Sequence, residues 1–154
     1  MVAAETPVPQ SPQPRRGPLS GIRVVEFAGL GPGPFAAMLL SDLGADVLLI
    51  DRPGQSAHPK DVVWRGRGAL ELALKQPETV ETCLAAMERA DVLIQGFRPG
   101  VLERPGLGPE VAMERNPRLI YARMTGLGQD GPQSDWRMIL PAPFVRQALL
   151  RQGV

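Results

Sequence analysis

Six basic residues, Arg52, Arg65, Arg67, Lys75, Arg98 and Arg104, fall in or near loops that follow runs of strand-forming residues. A guanidinium presents a planar fork of donors that matches phosphate oxygens, so several converging forks make a phosphate site. Surface arginines are also common, and Arg65 and Arg67 in "RGRG" fit a plainly solvated role equally well. Arg98 is more specific. "GFRPG" sets it between a strand end and a Pro-Gly turn, where its direction is fixed.

A second anion-binding pattern is "GLGPGP", which follows the first strand-like run, with Asp51 about twenty residues on, where a ribose-binding acid would sit. Pro34 occupies the third glycine position of that fingerprint and adds bulk where close helix–sheet packing wants none. Proline there suits the first position of a helix. A nicotinamide- or flavin-type dinucleotide domain therefore competes with a tight strand-to-helix turn that holds no ligand.

Groups for nucleophilic or acid–base work are sparse. Cys83 lies amid "TCLAAM" on a helical segment and reads as core. His58 stands alone in the loop "GQSAHPKD" and reads as exposed, and no histidine follows it. Asp130 and Asp135 follow the last strand, and Asp135 reads as a solvated loop carboxylate. No catalytic residue and no metal-ligand set is expected in these 154 residues.

The elements that would position these groups alternate. Strand-like runs "IRVVEFAG", "DVLLID", "ALELAL", "DVLIQG" and "RLIYARMTG" are expected at 22–29, 46–51, 69–74, 91–96 and 118–126. Helices are expected after the first run, with Phe35, Met38, Leu39 and Leu43 at helical spacing and Gly44 as C-cap, then from Pro77, then over 108–116. Strands that are near-continuous apolar runs, separated by helices, predict an α/β fold: a Rossmann-like parallel sheet with flanking helices. Such sheets bind ligands past the carboxyl ends of their strands. Here those ends are 28–29, 51–52, 96–98 and 126–128.

Composition agrees with a globular domain. Apolar residues make up 44% and charged residues 21% of 154, with a net charge of +1 and 5% aromatics. There is no basic field or aromatic platform to suggest nucleic acid. No segment reaches the ~18 apolar residues of a membrane span, and no apolar stretch follows Arg15-Arg16 as a signal peptide requires. One cysteine forms no internal disulfide, so a cytoplasmic location is expected. Residues 1–16 form a proline-rich lead-in expected to be disordered.

Taken together, "GPLSGIRVVEFAGLGPGPFAAMLLSDLGADVLLIDRPG", "RGRGALELALKQP", "ADVLIQGFRPGVLERPGLGPE" and "NPRLIYARMTGLGQDGP" resemble the N-terminal part of the family III CoA-transferases (CaiB/BaiF), on the α-methylacyl-CoA racemase side of that family. The resemblance covers 17–132. It implies the large domain of a CoA-binding fold, a CoA thioester as substrate with no prosthetic group, and an interlocked homodimer. It places Arg52, in the "DRP" turn, on the CoA nucleotide. Leu72, Ala73, Leu74 and Lys75 match the "LDLK" segment that lines the same site, and Gly96, Phe97 and Arg98 match a strand end that touches CoA in related transferases. Three positions depart from the family pattern. Ala73 replaces an acidic residue, and Gly68 and Ala69 replace the Arg-Ser of "RGKRS".

Racemisation beside a thioester needs two acid/base groups flanking the α-carbon and support for the enolate oxygen. The racemases carry the histidine in "GHDINY", shortly after the "GQxGP" turn. In this sequence "GQDGP" leads instead into "QSDWRMILPAPFVRQALLRQGV". The expectation is a truncated family member with a divergent tail at 133–154, as a frameshift or early stop produces, keeping the CoA cradle without the catalytic His and Asp. A stand-alone CoA or nucleotide-binding module and a non-functional reading frame are the competing expectations.

Overall fold

A computed structural model describes residues 16–54, 62–126 and 128–132. His58, Asp135, the lead-in up to residue 15 and the tail at 133–154 lie outside the described residues.

Five strands form one parallel sheet: β1 (Arg23–Phe27), β2 (Asp46–Asp51), β3 (Gly68–Glu71), β4 (Val92–Gln95) and β5 (Ile120–Arg123), in the order β3-β2-β1-β4-β5. Helix α1 (Pro32–Asp42) connects β1 to β2, α2 (Pro77–Glu88) precedes β4 and α3 (Pro109–Arg115) precedes β5. The order reverses at β1, so β1 and β4 diverge at a switch point. The parallel sheet with flanking helices is the fold expected from the sequence.

The two faces have separate cores. Val24, Val47 and Ile94 pack with Ala37 of α1 on one face, face A. Val25, Phe27, Ile50 and Leu93 pack with Cys83, Leu84 and Met87 of α2 and Ala112 of α3 on the other, face B. This split follows from the side-chain alternation along each strand.

Each helix begins with proline just inside its start, where the missing N–H has no intrahelical partner. Helix α1 ends in a Schellman turn: the Ala45 N–H donates to Leu40 O and the Gly44 N–H to Ser41 O, each at 3.0 Å. Gly44 sits there at φ +100°, and a Cβ would lie 3.0 Å from the Gly17 backbone. Both the conformation and the close approach require glycine.

Three expectations change. Helix α1 starts at Pro32, so Pro34 is its third residue rather than its first. Its buried row is Gly33, Ala37 and Ser41 with Pro34 and Met38, whereas Phe35, Leu39 and Leu43 point outward at 54%, 44% and 45% exposure. Small side chains at i, i+4 and i+8 let the helix lie close on the sheet, and the large ones are turned away. Strand β3 is shorter than 69–74 and exposed at all four residues, because it lies at the sheet edge rather than under two covered faces.

Candidate functional site

The carboxyl ends of the strands are held together by ladder bonds that run past the strands themselves. The Ala28 N–H donates to Ile50 O, the Leu72 N–H to Asp51 O and the Met124 N–H to Gln95 O, each at 2.8 Å. The chain leaving β1, β3 and β5 is therefore fixed to β2 and β4 before it turns.

These ends border a shallow, open recess of about 20 Å³ on face B, lined by Phe27, Ala28, Ile50, Asp51, Arg52, Leu74 and Phe97. Its floor is apolar. The Phe27 and Phe97 rings lie 6.4 Å apart at 56°, a tilted arrangement that aromatic pairs favour. Its rim is polar, with Asp51 half-buried and Arg52 exposed.

Local hydrogen bonds shape the rim. The Arg52 N–H donates to the Asp51 carboxylate at 2.7 Å, and the Gly54 N–H donates to Glu71 Oε2 at 3.1 Å. The "DRPG" turn is thus tied to its own strand and to the end of β3, which aims Arg52. At β4 the buried Gln95 side chain accepts from the Phe97 N–H at 2.6 Å and fixes the turn that presents Phe97.

The residues expected at a nucleotide site fall into two groups. Arg52, Leu74 and Phe97 line the recess directly. Leu72 and Ala73 are half-buried and Lys75 exposed on the segment running from β3 through Leu74, while Gly96 and Arg98 flank Phe97 and are exposed. Phe27, Ala28 and Ile50 also line the recess. Their signal in the sequence was only their place at the ends of apolar runs. Glu71 steers the Arg52 turn and carried no signal.

Two of the six candidate phosphate-binding cations are committed elsewhere. Arg67 is buried on face A with its guanidinium on the Glu26 carboxylate, on Val63 O and, at 3.2 Å, on Pro34 O. Arg65 pairs with Asp42 at the end of α1, through Nε to Oδ1 at 2.9 Å. The solvated reading of "RGRG" holds for Arg65 in part and fails for Arg67. Arg104 is exposed in the loop after β4.

The "GLGPGP" turn is poorly equipped for a dinucleotide pyrophosphate. A helix start offers an anion its first four N–H groups. In α1, with Gly31 as N-cap, Pro32 and Pro34 remove two of them. The Pro34 carbonyl is also turned to Arg67.

Burial and charge set the titration of the groups nearby. Burial raises the Glu26 carboxyl above its ordinary value, opposed by the hydrogen bond and charge of Arg67 and reinforced by the charge of Asp51. Burial pushes the Cys83 thiol up to about 11, which suits a core residue and not a nucleophile. Among the described residues, no group of three or more His, Cys, Asp or Glu could hold a metal ion. Among the described residues, no helix is long and apolar enough to cross a membrane.

Comparison with known proteins gives a consistent answer. Residues 19–139 match the sequence profile of CoA-transferase family III. The chain is 50% identical over 113 residues to human alpha-methylacyl-CoA racemase, an alignment covering 73% of this chain and 29% of the racemase. It is 39% identical over 132 residues to the beta subunit of succinyl-CoA–L-malate CoA-transferase of Chloroflexus aurantiacus, covering 77% of this chain and 33% of that subunit. Among solved structures it superposes on Rv3272 of M. tuberculosis with a TM-score of 0.78 at 34% identity, covering 91% of this chain and 40% of that one. A CAIB/BAIF family protein from Brucella suis gives a TM-score of 0.71 at 30% identity, covering 79% and 37%. The chain thus spans about a third of the length of the relatives it matches.

Proposed function

From the premise that the chain belongs to CoA-transferase family III, we propose that its face B recess grips the nucleotide end of a CoA thioester. The observation that carries this reading is the convergence of Arg52, Leu74 and Phe97, from three separate strand ends, on one apolar recess with Arg52 and Asp51 at its rim. Phe97 and Leu74 supply a flat apolar surface for the adenine, and aromatic stacking on a base is worth roughly 1–3 kcal/mol. Arg52 and Lys75 stand outside the apolar floor, where phosphates remain solvated on one side and can still receive charge-assisted hydrogen bonds. Leu72, Ala73, Gly96 and Arg98 complete the walls of the cradle. The substitution of an acidic residue by Ala73 removes one acceptor from it.

In the whole protein the bound thioester undergoes exchange of its α-proton, the epimerisation of a 2-methylacyl-CoA, rather than transfer of CoA to another acid. The higher identity to the racemase than to the transferase subunits supports this choice. The acid and base for that step are not among residues 1–154, where no "GHDxNY" segment follows the "GQDGP" turn. These residues contribute binding and orientation. Association with a second copy belongs to the same reading, and the outward row Phe35, Leu39 and Leu43 of α1 offers apolar surface for it.

Incubating the 154-residue chain with a 2-methylacyl-CoA in D2O tests the division between binding and chemistry. The expected result is saturable binding with no deuterium entering the α-carbon. Exchange at a rate that scales with protein concentration would overturn it.

A further inference from the structure

We propose that the buried Glu26–Arg67 pair is a positioning device that sets the register of the edge strand β3 and thereby holds Leu72–Lys75 beside Arg52. The claim rests on the nucleotide-cradle reading only for its ligand.

Strand β3 cannot set its own register. Register is normally specified by a buried face, since a one-residue slip would expose it. All four residues of β3 are exposed, and the strand pairs on one side only, with β2. The observed pairing of Gly68 with Leu48 and Glu71 with Asp51 must be imposed from the strand's two ends. At the far end the Leu72 N–H bonds to Asp51 O. At the near end stands Arg67, one residue before the strand begins.

Arg67 is tied to three elements at once. Its guanidinium meets Glu26 in β1, Pro34 O in the first turn of α1 and Val63 O in the short 3-10 turn Val62–Trp64. It also lies 5.0 Å over the Trp64 ring, a cation–π contact. Its neighbours strengthen the attachment: Ser41 Oγ donates to Gly66 O at 2.8 Å, and Arg65 pairs with Asp42. The segment 62–67 is fastened along α1 on face A, over a crossover from β2 to β3 whose described residues form no α-helix.

The pair is costly for stability. Arg67 and Glu26 side chains are 1% and 0% exposed, and Glu26 Oε1 and Arg67 Nε have no hydrogen-bond partner. Two apolar side chains of similar volume would fill the place at equal or better stability. A buried pair of this kind has its best-attested use in fixing register. Here the register decides whether residues 72–75 reach the recess.

The test uses the full chain, with Glu26→Leu combined with Arg67→Met, and with Arg67→Lys alone as the conservative variant. Amide hydrogen exchange is read without nucleotide, and adenosine 3′,5′-bisphosphate is titrated separately. The double variant is expected to keep or raise the melting temperature while exchange at 69–72 rises about tenfold or more and nucleotide affinity falls about tenfold. Arg67→Lys, which retains the charge opposite Glu26, is expected to recover most of both. Wild-type exchange at 69–72 in a folded double variant would overturn the proposal. If the double variant does not fold, the same exchange in Glu26→Gln decides, because it removes the carboxylate that Arg67 meets at nearly constant volume. Exchange at 69–72 is then expected to rise severalfold, and protection identical to wild type at every residue of β3 would overturn the proposal. Absence of nucleotide binding by the wild type would overturn the cradle reading and leave the exchange result standing on its own.

Discussion

The two faces of this sheet treat their arginines in opposite ways. On face A, Arg67 is buried, donates to Glu26 and two carbonyls, and is closed to any ligand. On face B, Arg52 stands exposed on a turn that Asp51 and Glu71 hold in place, with no side-chain partner among the described residues. The difference shows how a basic residue is assigned to structure or to ligand. Where backbone carbonyls and a carboxylate surround the guanidinium, it organises the chain. Where hydrogen bonds fix only the backbone beneath it, the side chain remains available.

The comparison breaks most visibly on the buried side. Arg67→Met alone leaves Glu26 buried without its partner, and loss of one member of such a pair costs about 3–5 kcal/mol. Urea unfolding should show that loss. A cost below about 1 kcal/mol would mean that the pair is solvated. Phe97→Ala tests the open side. It should weaken nucleotide binding by roughly 1–3 kcal/mol through lost stacking. Because the ring is only half-buried, its contact with Phe27 adds about 0.5–1.5 kcal/mol to stability.

A pH series sharpens the contrast further. Burial raises Glu26 above its ordinary value of 4.5, so between that value and its raised folded value the folded state holds more protons than the unfolded one. Its contribution to stability is complete below 4.5 and is lost as pH rises through the folded value. Glu26→Gln should remove that decline, measurable as a flatter melting temperature against pH above 4.5. The smallest effect is expected at Cys83. With its thiol raised to about 11 by burial, alkylation near neutral pH should follow unfolding and not the native thiolate. Fast labelling of the native chain would contradict its place in the core under α2.

Much of the architecture was legible in the residue pattern. β1, β2 and β4 are apolar runs closed by glycine or aspartate, and α3 is bounded by the Gly108 and Asn116 at which it begins and ends. The orientation of α1 was not legible. Phe35, Leu39 and Leu43 repeat with the same helical period as Gly33, Ala37 and Ser41, and periodicity alone does not say which row a sheet accepts. The small row wins because it permits closer packing. The site divides in the same way. Arg52 stood out only as one of several cations after strand ends and, through the family resemblance, as a nucleotide contact. Phe97 came from the resemblance alone, since the local argument at "GFRPG" pointed to its neighbour Arg98, which is not among the residues lining the recess. Arg67 was not legible, because in "RGRG" it is chemically the same as Arg65. Its burial depends on Glu26, 41 residues earlier, and on a strand register that no local pattern encodes.

The central claim is that the face B recess holds the nucleotide of CoA through Arg52. Calorimetric titration of the 154-residue chain with CoA, alongside Arg52→Ala, tests it most directly. The account predicts one saturable site in the wild type, an affinity lower by about tenfold or more in Arg52→Ala through loss of a charge-assisted hydrogen bond, and the same melting temperature for both. Equal affinity in the two proteins, or no binding by the wild type, would contradict it.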